Sequence, residues 1–215
     1  MVLDSRAFRV LFTVLRDAST LHLDFAQHAD RLVTLLAEEG LAHLPGVAPR
    51  TVTTPCGVYA GLTAVPAHQI TAVSIVRSGD ILLEAVRRVA PGVSIGKILI
   101  QRDEAAPDKA PRLFFAKLPA AVRDPAQAVL LCDPMLATGG SASMAIRELV
   151  RAGVDEARIV FLCVVACPEG LRALAAAYPR VRVVCAAVDD GLNEHRFIVP
   201  GLGDFGDRYF GTTGD

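Results

Sequence analysis

The sequence predicts an α/β fold in which a parallel sheet is covered by helices on both faces. Three observations carry that prediction. Short, near-continuous apolar runs recur at 70–76, 95–101, 128–132, 158–166 and 180–188, and strands so uniformly apolar are buried on both sides. Helical patterns separate several of them, at 81–89, roughly 141–152 and 168–178, which is the alternation of βαβ units. A glycine-rich turn follows the run at 128–132 within a few residues, at the strand end where open α/β sheets bind ligands.

Ahead of this alternation, residues 19–40 form an expected amphipathic helix. Ser19 or Thr20 offers an N-cap, Leu21, Phe25, Ala29, Leu32 and Leu36 make one stripe, and Gly40 suits a stop. The segment "TVTTPCGVYAGLTAV" (51–65) mixes β-branched residues with turn formers and reads as a hairpin. The stretch "RDEAAPDKAPR" (102–112) is too polar for core and reads as a mobile loop or the base of a lid. The tail 189–211 interleaves glycines with Phe, Ile, Val and Tyr. Disorder accounts for the glycines but not for the apolar residues between them, so an ordered, irregular closure is expected.

The 215 residues are 52% hydrophobic, enough for a substantial core. A net charge of −1 argues against a protein that coats nucleic acid. No apolar stretch reaches membrane-spanning length, and the amino-terminal residues lack the apolar centre of a signal peptide, so a cytoplasmic protein is expected. The cysteines are odd in number, and Cys132, Cys163 and Cys185 lie inside apolar runs. They read as small core residues in a reducing compartment. Cys163 and Cys167 lack the second ligand pair of a zinc site.

The chemistry concentrates in "LLCDPMLATGG" (130–140). An apolar strand ends in an acid, Asp133; Pro134, Met135, Leu136 and Ala137 lead into the turn Thr138, Gly139, Gly140 and Ser141. The main-chain N–H groups of 137–141 and the dipole of the following helix favour an anion, and Gly139 and Gly140 admit a phosphate close to the backbone. Asp133 suits the hydroxyls of a sugar whose phosphate sits in the loop. The lysine ending of a Walker loop and the glycine spacing of a Rossmann fingerprint are both absent.

"LLCDPMLATGGSA" resembles the phosphoribosyl-diphosphate (PRPP) loop of type I phosphoribosyltransferases. The single acid followed by Pro134, together with the tail "GLNEHRFIVPGLGDFGDRYFG" (191–211), resembles the uracil phosphoribosyltransferase family in its eukaryotic style. "SIVRSGD", "IGKILIQRDE" and "CPEGL" support the match. The resemblance implies one phosphoribosyltransferase domain: an amino-terminal helix and hairpin arm (1–66), a PRPP-binding core (67–188) and a uracil-binding hood (189–215). Asp133 would bind the ribose, 137–141 the 5′-phosphate, and Arg77 and Arg102 the diphosphate, a task that suits the guanidinium fork. Ile198, Gly203 and Phe205 would read uracil through main-chain groups. Asp204 would lie near PRPP and its Mg²⁺, serving the metal or the uracil N1 proton. The implied reaction turns uracil and PRPP into UMP and diphosphate. The resemblance further implies a homodimer or homotetramer and, as in some members, activation by GTP.

Two departures from the family pattern stand out: Ser78 and Asp80 in "RSGD", and Phe197 in place of a frequent tyrosine. A carboxylate at Asp80 is unfavourable beside a diphosphate unless it faces away or meets Mg²⁺. His195 reads as a surface histidine. The competing reading is a non-catalytic sensor of UMP or PRPP on the same fold, against which the near-neutral charge and the intact hood both stand.

Overall fold

A computed structural model describes residues 1, 5–102 and 111–212, with the side chain of Arg102 outside the description. The predicted loop at 102–112 therefore falls largely outside the described residues.

The sheet is the one expected from the apolar runs. β3 (Ile70–Val76), β4 (Ser94–Arg102), β6 (Ala128–Cys132), β8 (Ile159–Ala166) and β9 (Arg182–Val188) run parallel, with β3 between β4 and β6, and β8 between β6 and β9. Their residues alternate between two cores. Leu130, Val160, Leu162 and Val164 face one side; Val129, Leu131, Phe161 and Cys163 face the other. This is why the strands read as unbroken apolar runs in the sequence. On the first face lie α1 (Arg6–Arg16), α2 (His22–Ala42) and α3 (Gly79–Val89); on the second, α4 (Gly140–Arg151) and α5 (Pro168–Ala177).

Four features differ from the sequence reading. Helix α1 was not expected, although its signal is present: Ser5 accepts from the Phe8 amide as an N-cap, and Phe8, Leu11, Phe12 and Leu15 form a buried stripe. Helix α2 begins at His22 with Leu21 at the cap, because the Thr20 hydroxyl is spent on the Val14 carbonyl. Gly40 does not end α2. It lies buried inside the helix, where a Cβ would stand 2.9 Å from a methyl of Leu162, so it is there for close helix–sheet approach. Finally, "PRLFFAK" forms β5 (Pro111–Lys117), an antiparallel edge strand on β4, and makes the sheet mixed. The hairpin is present as β1 (Ala48–Thr54) and β2 (Gly57–Thr63).

At the end of the sheet away from the glycine turn at 138–141, polar groups join three strands. Gln127 donates to Thr71 Oγ1 at 2.9 Å, and Thr71 and Ser94 hydroxyls lie 2.7 Å apart. The Arg158 Nε–H donates to the Gln127 carbonyl at 2.6 Å. No buried side-chain polar atom among the described residues lacks a partner, as a low-dielectric interior requires. The cysteines are free thiols, and burial raises the thiol pKa of Cys132 and of Cys163. Among the described residues no helix is long and apolar enough to cross a membrane.

Phe161 is fully buried beneath α4 and α5. Phe161→Ala is expected to destabilise the fold by about 3–5 kcal/mol, read as a lower urea midpoint with an unchanged slope.

Candidate active site

The site begins with a break in a strand. β6 stops at Cys132, while its neighbour β8 runs on to Ala166. The freed main chain is satisfied on β8: the Asp133 N–H donates to the Leu162 carbonyl at 3.2 Å, and the Pro134 carbonyl accepts from Val164 and Val165 at 2.9 and 3.0 Å. A two-residue strand, β7 (Met135–Leu136), then resumes pairing with β8. The irregularity lifts Asp133 out of the sheet at its carboxyl end, half-buried and lining a cleft of about 690 Å³.

The turn after β7 rests on α5. The Leu136 carbonyl accepts from the Cys167 N–H at 3.1 Å, and the Cys167 thiol donates to the Ala137 carbonyl at 3.0 Å. Gly170 permits this approach: a Cβ there would stand 2.4 Å from the Ala137 oxygen and 2.7 Å from that of Leu136. Gly139, at the cap of α4, has φ +81°, a left-handed conformation natural to glycine. Thr138, Gly140 and Ser141 complete the turn at the α4 amino terminus, and all line the cleft. A helix start presents N–H groups without intrahelical partners, and the positive end of the helix dipole lies there too.

The opposite wall is the tail. β10 (Gly191–Leu192) pairs with β11 (Ile198–Val199), and the chain turns through 200–204 into the short helix α6 (Phe205–Phe210). Ile198, Gly203, Asp204 and Phe205, the expected base readers, all face the cleft. Gly203 has φ +78°. The Phe205 ring points into the core, 5.5 Å from Phe25 edge to face, so its main chain is what it offers the cleft. Asp204 caps α6, accepting from the Asp207 N–H at 2.9 Å. Tyr209 ties α6 to α2 by donating to Asp30 at 2.8 Å, and burial with that bond pushes its phenol up to about 12. The tail is ordered, as its apolar residues require.

Arg77 directly follows β3 and lines the cleft wall. Its guanidinium donates to Asp207 at 2.5 Å and to Thr212 at 3.1 Å, and lies 5.4 Å from the Phe210 ring centroid. The Thr212 hydroxyl and Arg77 together hold the Asp207 carboxyl below its ordinary pKa. Arg102 closes β4 with its backbone, and Gln101 beside it lines the cleft. Asp80 is not a cleft residue. It accepts from Lys97 at 2.8 Å and from the Ser74 hydroxyl at 2.5 Å, so the extra carboxylate is neutralised away from the anion turn. Phe197 lines the cleft with its ring half exposed. His195 is exposed beside Glu194.

The sequence reading did not single out Gln101, Arg196 or Asp207. Asp207 had a signal, since "DFGD" places acids at the cap and third position of a short helix; Gln101 and Arg196 had none beyond proximity.

The mixed sheet flanked by helices, with a carboxylate at a broken strand end, a glycine turn on a helix amino terminus and a hood across the cleft, has the fold of type I phosphoribosyltransferases. The protein AQ2163 of Aquifex aeolicus superposes with a TM-score of 0.81 at 27% identity, over 98% of this chain and 97% of that one. A purine phosphoribosyltransferase of Pyrococcus horikoshii shares the fold, with a TM-score of 0.50 at 14% identity over 76% and 83% of the two chains. The family model for uracil phosphoribosyltransferase matches residues 2–212. The uracil phosphoribosyltransferase of Dictyostelium discoideum is 48% identical over 94% of this chain and 91% of its own. The chain belongs to the uracil phosphoribosyltransferase family.

Gly170→Ala is expected to push the 136–137 main chain off α5. An overpacking cost of about 1–3 kcal/mol should appear as a lower Tm, with faster amide exchange across 137–141.

Proposed function

We propose that the protein is a cytoplasmic pentosyltransferase that converts uracil and PRPP into UMP and diphosphate. One observation supports the reading: in a chain of this family, Asp133, the anion turn at 137–141 and the hood residues Ile198, Gly203, Asp204 and Phe205 line the same cleft. The turn would take the 5′-phosphate through main-chain N–H groups, and Asp133 the ribose hydroxyls. Uracil offers two carbonyls and two N–H groups, which a rigid main chain can match without charged side chains. Arg77, and Arg102 from the end of β4, would hold the diphosphate.

In the reaction, the bond from uracil N1 to the anomeric carbon forms as the bond from that carbon to diphosphate oxygen breaks. The N1 proton leaves the base. Asp204, between the anion turn and the base wall, would receive that proton or face the metal. The chain's contribution is to align two substrates and to stabilise the departing negative charge. Mg²⁺ carried by PRPP would offset diphosphate charge, with Asp133 and Asp204 the carboxylates at hand. Nothing in the cleft favours the non-catalytic sensor.

The proposal extends to assembly. Among the described residues the β1–β2 hairpin pairs with no other strand, and it exposes Val58, Tyr59 and Leu62, an apolar surface that suits burial in a homodimer or homotetramer. A GTP response belongs to the same proposal, and assays with and without GTP test it.

UMP formation from PRPP, Mg²⁺ and uracil tests the reaction, run beside cytosine, hypoxanthine and orotate. Turnover is expected on uracil alone, and none on any base would overturn the reading. Asp133→Ala is expected to lower kcat/KM for PRPP by about 10²–10³-fold, the loss of two charge-assisted hydrogen bonds. In light-scattering chromatography, substituting Val58, Tyr59 and Leu62 together with serine should reduce the assembly mass.

A further inference from the structure

The main chain that forms the base wall is held from behind by charges that do not enter the cleft. Arg16, the last residue of α1, forks onto Asp189: two donors reach its two carboxylate oxygens, each at 2.7 Å. The same guanidinium donates to the Gly201 carbonyl at 2.8 Å, and Asp189 accepts from the Gly201 N–H at 2.8 Å. Both polar groups of one peptide residue are thereby fixed by one ion pair. Gly201 lies between Ile198 and Gly203, with φ +63°, and a Cβ there would stand 2.1 Å from the Ile198 oxygen. Asp189 is anchored in turn where β9 ends, its N–H donating to the Ala166 carbonyl at 2.9 Å.

A second arginine works in the reverse direction. Arg208, on α6, donates to Leu202 at 2.8 Å on the hood side and to the carbonyls of Leu15 and Asp17 at the end of α1. Its guanidinium lies 4.4 Å from the Phe25 ring centroid. Neither Arg16, Asp189 nor Arg208 lines the cleft.

We propose that the Arg16–Asp189 pair is the positioning device for base recognition, setting the 198–203 main chain so that its N–H and C=O groups match the base. The inference rests on the uracil reading given above. The Asp189 side chain is 5% exposed, and a well-packed apolar pair would hold a fold as well as a buried ion pair does. What an apolar pair cannot do is bind the N–H and the C=O of Gly201 at once. Lysine cannot reproduce the fork either, since it presents a single nitrogen.

The test measures KM for uracil and for PRPP separately in Arg16→Met, Arg16→Lys and Asp189→Asn. Arg16→Met should raise KM for uracil about ten-fold or more, with KM for PRPP within about two-fold of wild type by the same arithmetic. Arg16→Lys should recover part of the loss, and Asp189→Asn, nearly isosteric, should show the same split. Amide exchange across 198–203 should quicken in Arg16→Met while that of 137–141 stays unchanged. Folded variants in which both KM values rise together, or neither changes, would overturn the inference. A wild-type protein inactive on uracil would overturn the function instead, and the exchange contrast would then decide the brace alone.

Discussion

Strand β6 is shorter than its neighbour, and the site depends on that mismatch. A buried strand cannot simply stop, because the main-chain groups it abandons would be left in a medium with no water to take them. Here β8 supplies the partners, through the Leu162 carbonyl and the amides of Val164 and Val165. The chain is then free to turn Asp133 outward, re-pair briefly as β7 and enter the glycine turn. Because β8 holds both the break and its repair, the carboxylate and the anion turn share one rigid platform. A ligand meeting both meets groups already in place.

Most of this scaffold was legible because burial on two faces leaves a strong mark. Leu130 and Leu131 point to opposite cores, so both must be apolar, and the run announces itself. The anion turn was legible for a similar reason: Gly139 is set by its backbone conformation, and Asp133 interrupts an apolar run where only function or a turn would place it. The less visible elements carry weaker marks. β5 covers an edge, so only part of its sequence faces the interior, and "PRLFFAK" lacks a clean alternation. Gly40 looked like a terminator because glycine commonly ends helices; its actual reason, the nearness of Leu162, lies 122 positions further along the chain.

The hood shows the same limit in its polar contacts. "PGLGDFGDRYFG" displayed an ordered turn, and Ile198 and Phe205 marked where it meets the core. Nothing local marked Arg16 as the partner of Asp189, because the contact spans 173 residues. Arg77 is a related case. Its place at a strand end was readable, whereas its engagement with Asp207 and Thr212 depends on how the tail returns across the sheet. Asp80 is the counterpart: an ill-placed acid in one dimension, it is a satisfied partner of Lys97 and Ser74 in three.

The 198–205 wall is shaped by glycines, and at Gly201 even a methyl group would collide with the Ile198 oxygen. On the proposed reading this wall recognises the base through its backbone, and such a surface has no side chain to exchange for another. Its selectivity is inherited with the loop as a unit, so retargeting such a cleft to a different ring calls for transplanting a whole segment. Single substitutions have Phe197 and Arg196 at the rim to work with, and these adjust how the entrance is filled without rewriting the contour behind it.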